Sequence, residues 1–360
     1  MDQNFEIATE SRRNLGIELF RIVAMLLIVL LHVLGQGGVS AGTDYPSTNY
    51  KIVWLLRTLA YCSVNCYALI SGFVGVHSRF RFRKIVYLWL EVAFITISTT
   101  VIFSVFSPES VTWDDWLKAI FPLTKREYWY FNAYTLLFPF LPLFNKGLLS
   151  LSRCQHLTVM GFLFVITTIL PLLGDRDIFE LAGGYSCIWL MVMYVFGAYF
   201  KVHGIPKFAH PLLCLGILLT ATAVAWAQKV GFIPVGEDGA LIGYTSPLMV
   251  IMALSLLLLF ARITVRGKFC SFIVTHLGKA TFGVFLVHVG AMVWDFIDGR
   301  WAHFGEMPPI RMTLMVFAAT LSMYFICSAY SLFRIWLFRV CRVHGLVDNI
   351  ADRLFGQKEI

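Results

Sequence analysis

Charge is spaced along this chain in a way that few folds permit. Setting His aside, residues 22–43, 58–78, 154–174, 181–200, 208–228, 239–261 and 312–333 contain no Asp, Glu, Lys or Arg. Each run is long enough for a membrane helix, which needs roughly 20 apolar residues to cross about 30 Å of hydrocarbon. Shorter charge-free runs at 92–108, 128–145 and 280–294 also span when their flanks are included. Charged residues are only 14% of the 360 and hydrophobic ones 58%, whereas an ordinary soluble domain carries roughly 25% charge. A conventional soluble enzyme, a disordered chain and a secreted disulfide scaffold are therefore excluded. The expectation is an all-α polytopic membrane protein with about ten transmembrane helices. They fall near 17–36, 52–76, 85–106, 128–145, 156–174, 183–201, 210–228, 243–262, 279–297 and 312–335.

Sidedness follows Lys and Arg rather than net charge. With the N-terminus inside, the inner segments collect 18 basic residues, among them Arg12, Arg13, Arg79, Arg81, Arg83, Lys84, Arg353 and Lys358, against 8 outside, including Arg176. Both termini are thus expected in the cytoplasm, with 1–15 as a cytoplasmic segment, 340–360 as a cytoplasmic tail, and 1–360 as one membrane domain. The first 14 residues are polar and charged, unlike a cleaved signal peptide. The net charge of +8 reads as a topology signal whose partner is the lipid bilayer, not nucleic acid. The eight cysteines lie in helices or on the reducing side, show no metal-ligand spacing, and read as small packing residues.

Function is sought where polar groups interrupt apolar helices, because intramembrane charge is costly and faces an interior or a cavity. The first helix carries Glu18, Arg21 and His32. Arg21 and His32 are 11 residues apart, about three turns plus roughly 20°, so they share a face. Glu18, one turn before Arg21, can pair with it. An interfacial ion pair and a headgroup-level His would give the same three residues. Glu91 has no partner that the sequence identifies.

The segment GIELFRIVAMLLIVLLHV (16–33) resembles the opening helix of the acyltransferase-3 family, integral-membrane O-acyltransferases whose hallmark Arg and His match Arg21 and His32. Further pieces agree in order: VNCYALISGFVGV (64–76), the basic loop RFRFRK (79–84), YWYFNAYTLLFPFLPLFN (128–145), and LGKATFGVFLVHV (277–289), with Phe285 where Tyr is more usual. The chain looks closest to short members that modify surface polysaccharides and lack a fused periplasmic SGNH-type domain.

The resemblance implies transfer of an acyl group, usually acetyl, from cytoplasmic acyl-CoA to a carbohydrate hydroxyl. No tightly bound cofactor is implied; acetyl-CoA or another acyl-CoA is the donor. The acceptor is a glycan or lipid-linked saccharide, reached directly or through a periplasmic or extracellular acyl-transfer partner. The setting implied is a bacterial cytoplasmic membrane. A sugar hydroxyl needs a base as it attacks a thioester, and His suits that task. His32 is the candidate base or acyl relay, and Arg21 the candidate for positioning the donor, oriented by Glu18.

Substrate contacts are expected from Arg57, Asn65 and Ser71 on the second helix, from Trp129, Asn132 and Tyr134 on the fourth, and from His288 on the ninth. Helix-to-helix bonding competes for Arg57, close packing for Ser71–Gly72, and an interfacial aromatic belt for Trp129 and Tyr134. Asp295, seven residues after His288, is expected on roughly the same helix face. Arg79, Arg81 and Arg83 suit CoA phosphates and equally a positive-inside anchor. A transporter or exporter of a surface glycan or small anion, with Arg21 and His32 lining its path, is the alternative function.

Overall fold

The computed structural model describes residues 14–174, 177–233 and 239–355. Arg12, Arg13, Arg176 and Lys358, the first 13 residues of the expected N-terminal segment and the last five of the tail lie outside the described residues. All regular elements among the described residues are helical. Helix α1 spans Leu15–Leu34, α2 Thr48–Tyr61, α3 Ser63–Gly75, α4 Phe82–Phe106 and α5 Trp113–Ile120. Then come α6 (Trp129–Leu137), α7 (Leu141–Ser150), α8 (Arg153–Phe164), α9 (Leu170–Leu173) and α10 (Cys187–His203). The chain continues through α11 (Pro211–Lys229), α12 (Pro247–Phe260), α13 (Lys268–Val289), α14 (Ala291–Ile297), α15 (Pro309–Val340) and α16 (Val343–Phe355).

Among the described residues, seven segments are long and apolar enough to cross a membrane: α1, α2 with α3, α4, α8 through α9, α11, α13 and α15. Helices α10 and α12 are apolar but shorter. The expected single helix over 128–145 is instead broken into α6, a 3-10 turn at Phe138–Phe140, and α7. Pro139 and Pro142 explain the break, since each lacks an N–H and crowds the preceding turn. The helix expected over 279–297 begins earlier and stops at Gly290, whose extended backbone separates α13 from α14. His288 is therefore in the last turn of α13, not mid-helix, and Asp295 belongs to a different helix.

Helix α1 lies between two apolar clusters, one built around α3, α10 and α12, the other around α4, α13 and α15. Its start is set by Asn14, whose side chain accepts from the N–H groups of Gly16 (3.0 Å) and Ile17 (3.3 Å), two of the donors a helix leaves unpaired. Helices α3 and α10 touch backbone to backbone. A methyl group at Gly72 would sit 2.0 Å from the Tyr194 carbonyl oxygen, and one at Gly197 2.0 Å from that of Leu69. Small residues permit this approach between membrane helices, which is the packing account of Ser71–Gly72. Helices α1 and α13 run side by side in one direction: Glu18 meets Gly278, and His32 meets His288.

Candidate active site

Two cavities lie along the polar face of α1. The first, about 200 Å³, is lined by His32 among aromatic side chains: Trp129, Tyr130, Tyr185, Tyr244 and Trp294. The second, about 280 Å³, is lined by Arg21, Ser71, Tyr134 and Lys279. Tyr67, Tyr130 and Phe282 line both. The face shared by Arg21 and His32 is thus the wall along which the cavities succeed one another.

His32 is held from behind. Its Nδ1 lies 3.0 Å from Nε2 of His288, and His288 Nδ1 lies 2.6 Å from the Val284 carbonyl oxygen. A carbonyl only accepts, so His288 Nδ1 carries a proton; in the neutral ring its Nε2 then accepts, and the donor must be His32 Nδ1–H. A neutral His32 is left with an unprotonated Nε2, the nitrogen a general base uses. Trp294 meets the His32 ring edge-on, with centroids 4.9 Å apart. His288 is fully buried and acts on His32, not on the cavity.

The end of α13 that carries His288 is pinned by the segment before α6. The Tyr128 hydroxyl donates to the Leu286 carbonyl (2.9 Å), and the Glu127 carboxylate accepts from the Ala291 N–H (2.7 Å). Neither residue stands out in the sequence, because each bonds a backbone group more than 150 positions away.

At the other end of the face, Arg21 pairs with Glu18 through Nη1, at 3.1 and 3.3 Å from the two carboxylate oxygens. Glu18 is buried against Gly278, so Arg21 is braced while remaining partly exposed to its cavity. The Tyr67 hydroxyl donates to the Arg21 carbonyl at 2.9 Å. Ser71 donates to the Tyr67 carbonyl at 3.0 Å and borders the same cavity. Lys279 joins Arg21 there; by sequence it reads only as one more basic residue near the inner edge.

The other expected contacts lie elsewhere. Arg57 donates to Ser40 Oγ (2.8 Å) and stacks over Trp54 at 4.6 Å, bracing the loop that follows α1. Asn65 is fully buried, donates to the Tyr244 carbonyl (2.7 Å) and accepts from Trp189 Nε1 (2.9 Å). Both ends of its amide are used to join α3 to α10 and to the loop before α12, so it lines neither cavity. Asn132 donates to the Leu123 carbonyl (3.0 Å) and ties down the loop between α5 and α6. Arg79 and Arg81 are exposed, and Arg83 pairs with Asp348 of α16 at 3.0 Å. None of the three lines either cavity. Glu91 finds its partner in Arg334 of α15, a buried ion pair.

A family model described as an acyltransferase domain matches residues 14–330, from the N-cap of α1 into α15. The chain belongs to the acyltransferase-3 family. No curated protein and no solved structure matched the chain. As an acyltransferase-3 protein it is a multi-pass membrane acyltransferase, and both cavities lie inside the matched region. Helix α16, which holds Arg83 through Asp348, lies beyond it.

Proposed function

We propose that this acyltransferase-3 protein moves a short acyl group, acetyl in the simplest case, from cytoplasmic acyl-CoA to a hydroxyl of a cell-envelope or exopolysaccharide glycan at the bacterial cytoplasmic membrane. The observation that carries this reading is the chain from the Val284 carbonyl through His288 to His32, which leaves His32 Nε2 unprotonated at an aromatic cavity. Aromatic faces pack against sugar rings, so Trp129, Tyr185 and Tyr244 suit an acceptor presenting its hydroxyl to His32.

In the reaction the hydroxyl oxygen attacks the thioester carbonyl while His32 Nε2 takes its proton. The tetrahedral intermediate then expels the CoA thiolate, breaking the C–S bond as the C–O ester forms. The imidazolium returns the proton to the thiolate. Throughout, His32 Nδ1–H stays directed at His288, which fixes the ring and supports the transient positive charge. On the donor side Arg21, braced by Glu18, and Lys279 face the anionic CoA moiety, a role guanidinium geometry suits. The exposed Arg79 and Arg81 add positive charge on the same expected cytoplasmic side.

The test is purified protein in lipid nanodiscs with labelled acetyl-CoA and isolated envelope glycan. Label should enter the glycan with the wild type and be lost in His32→Ala of unchanged size-exclusion profile. Label that enters equally with His32→Ala, or never enters with the wild type, overturns the proposal.

A further inference from the structure

Three aromatic side chains from three helices, Tyr67 of α3, Tyr130 of α6 and Phe282 of α13, line both cavities. Arg21 is on one side of them and His32 on the other. Eleven residues of helix separate the two along α1, about 16 Å. An acyl-CoA whose head group is held at Arg21 must therefore extend past this partition to bring its thioester carbonyl to His32 Nε2. Once there, any carbons beyond the carbonyl occupy the first cavity together with the attacking hydroxyl.

That cavity is small. At about 200 Å³ it falls below the roughly 300–1,000 Å³ of ordinary ligand pockets, and its walls are packed rings that do not yield easily. Space for an acyl tail is what remains after the acceptor edge has entered. The three partition residues differ in how firmly they are held. Tyr67 is anchored by its hydroxyl to the Arg21 carbonyl at 2.9 Å. Tyr130 is flanked by Trp129 at 5.4 Å and Phe285 at 6.1 Å. Phe282 has no polar anchor, is half-buried, and stacks on Phe285 at 6.2 Å with planes 25° apart. Truncating it frees volume beside both cavities without removing His32, Arg21 or any group bonded to them.

We infer that the partition of Tyr67, Tyr130 and Phe282 sets the size of the acyl group transferred, with Phe282 as the residue that determines specificity. The inference rests on the proposed reaction at His32 and adds what limits the donor: the partition admits a short acyl group and excludes a medium-chain one. The partition also keeps water on the Arg21 side away from the thioester at His32, so an intact partition limits hydrolysis.

The experiment uses the full-length protein in nanodiscs with acetyl-, propionyl-, butyryl- and hexanoyl-CoA and the envelope glycan. Wild type, Phe282→Leu and Phe282→Ala are compared, each with calorimetric binding of the non-hydrolysable thioether analogues. Wild type should favour acetyl over hexanoyl, and Phe282→Ala should shift the kcat/KM ratio toward hexanoyl by about tenfold or more, with Phe282→Leu between. Acceptor-independent CoA release should rise in the same order. A wild type that accepts hexanoyl as well as acetyl overturns the inference. So do variants that keep the wild-type ratio or lose all donors equally. If no glycan is labelled by any protein, yet the thioether preference shifts with Phe282, the acceptor reading fails and the partition stands.

Discussion

His32 Nδ1 lies 3.0 Å from Nε2 of His288, and the other ring nitrogen of His288 is committed to a backbone carbonyl. The relationship makes His288 a positioning residue that sets both the tautomer and the ring angle of His32. Replacing it by Ala should leave acyl-CoA binding unchanged and lower kcat by about 10²-fold, while His32→Ala should cost the full general-base contribution of about 10²–10⁴-fold. Because the two act as one unit, the double variant should be no slower than His32→Ala alone. Steady-state kinetics on the four proteins of this cycle decide it. Multiplying effects would show that His288 acts separately.

Arg21 and Glu18 make the donor-side prediction. Lys keeps the charge of Arg21 but has a single nitrogen in place of the planar guanidinium, whose Nη1 alone meets both Glu18 oxygens and leaves its other N–H groups for the donor. Arg21→Lys should therefore raise the KM for acyl-CoA by about tenfold, and Glu18→Gln should do so by a smaller factor, because the amide weakens the brace without removing it. Neither should change the KM for the glycan. A glycan KM that rises with either substitution would move Arg21 to the acceptor side.

Glu91 and Arg334 test stability away from the site. Both side chains are largely buried between α4 and α15, and the exposed fractions are 16% and 8%. Removing one partner of such a pair leaves an uncompensated buried charge, at a cost of about 3–5 kcal/mol, whereas replacing both by apolar residues is often neutral. Glu91→Ala should sharply lower the unfolding temperature in detergent. Glu91→Leu combined with Arg334→Met should recover most of the loss. A double variant as unstable as the single one would argue against the pair.

These cases show where reading along the chain stops. The stripe of Glu18, Arg21 and His32 is a property of one helix, so 3.6-residue periodicity alone brings it together. His288 is visible as a polar residue in an apolar run, but its partner is 256 positions away. The ion pair of Glu91 spans 243 positions and is closed only by tertiary packing. Asn65 and Ser71 look alike from sequence, both polar on the second span, yet one bonds helices and the other borders a cavity. Tyr130 and Phe282 are indistinguishable from interfacial or core aromatics until two cavities are seen to share them. The prolines that split α6 from α7 are plain in the sequence, but charge spacing is blind to a break between apolar segments.

Glu127 gives a pH-dependent prediction. It lies in the loop before α6, where its carboxylate caps α14 at Ala291, immediately after the residues that hold His288. Burial pushes its carboxyl above the ordinary glutamate value; the Ala291 N–H and Lys118 pull it down, and the neighbouring Asp115 and Asp295 push it up again. A carboxyl raised in the folded state binds its proton more tightly there than in the unfolded chain. Its contribution to stability is therefore full below the ordinary glutamate pKa of about 4.3 and is lost as pH rises through the elevated folded value. Gln at this position can still accept from Ala291 but cannot titrate. The unfolding temperature of the wild type minus that of Glu127→Gln should accordingly fall as pH is raised from about 4 to about 7. Thermal unfolding of the two proteins in the same detergent across that range measures the difference directly, and a difference that rises with pH would mean that the Ala291 and Lys118 interactions outweigh burial.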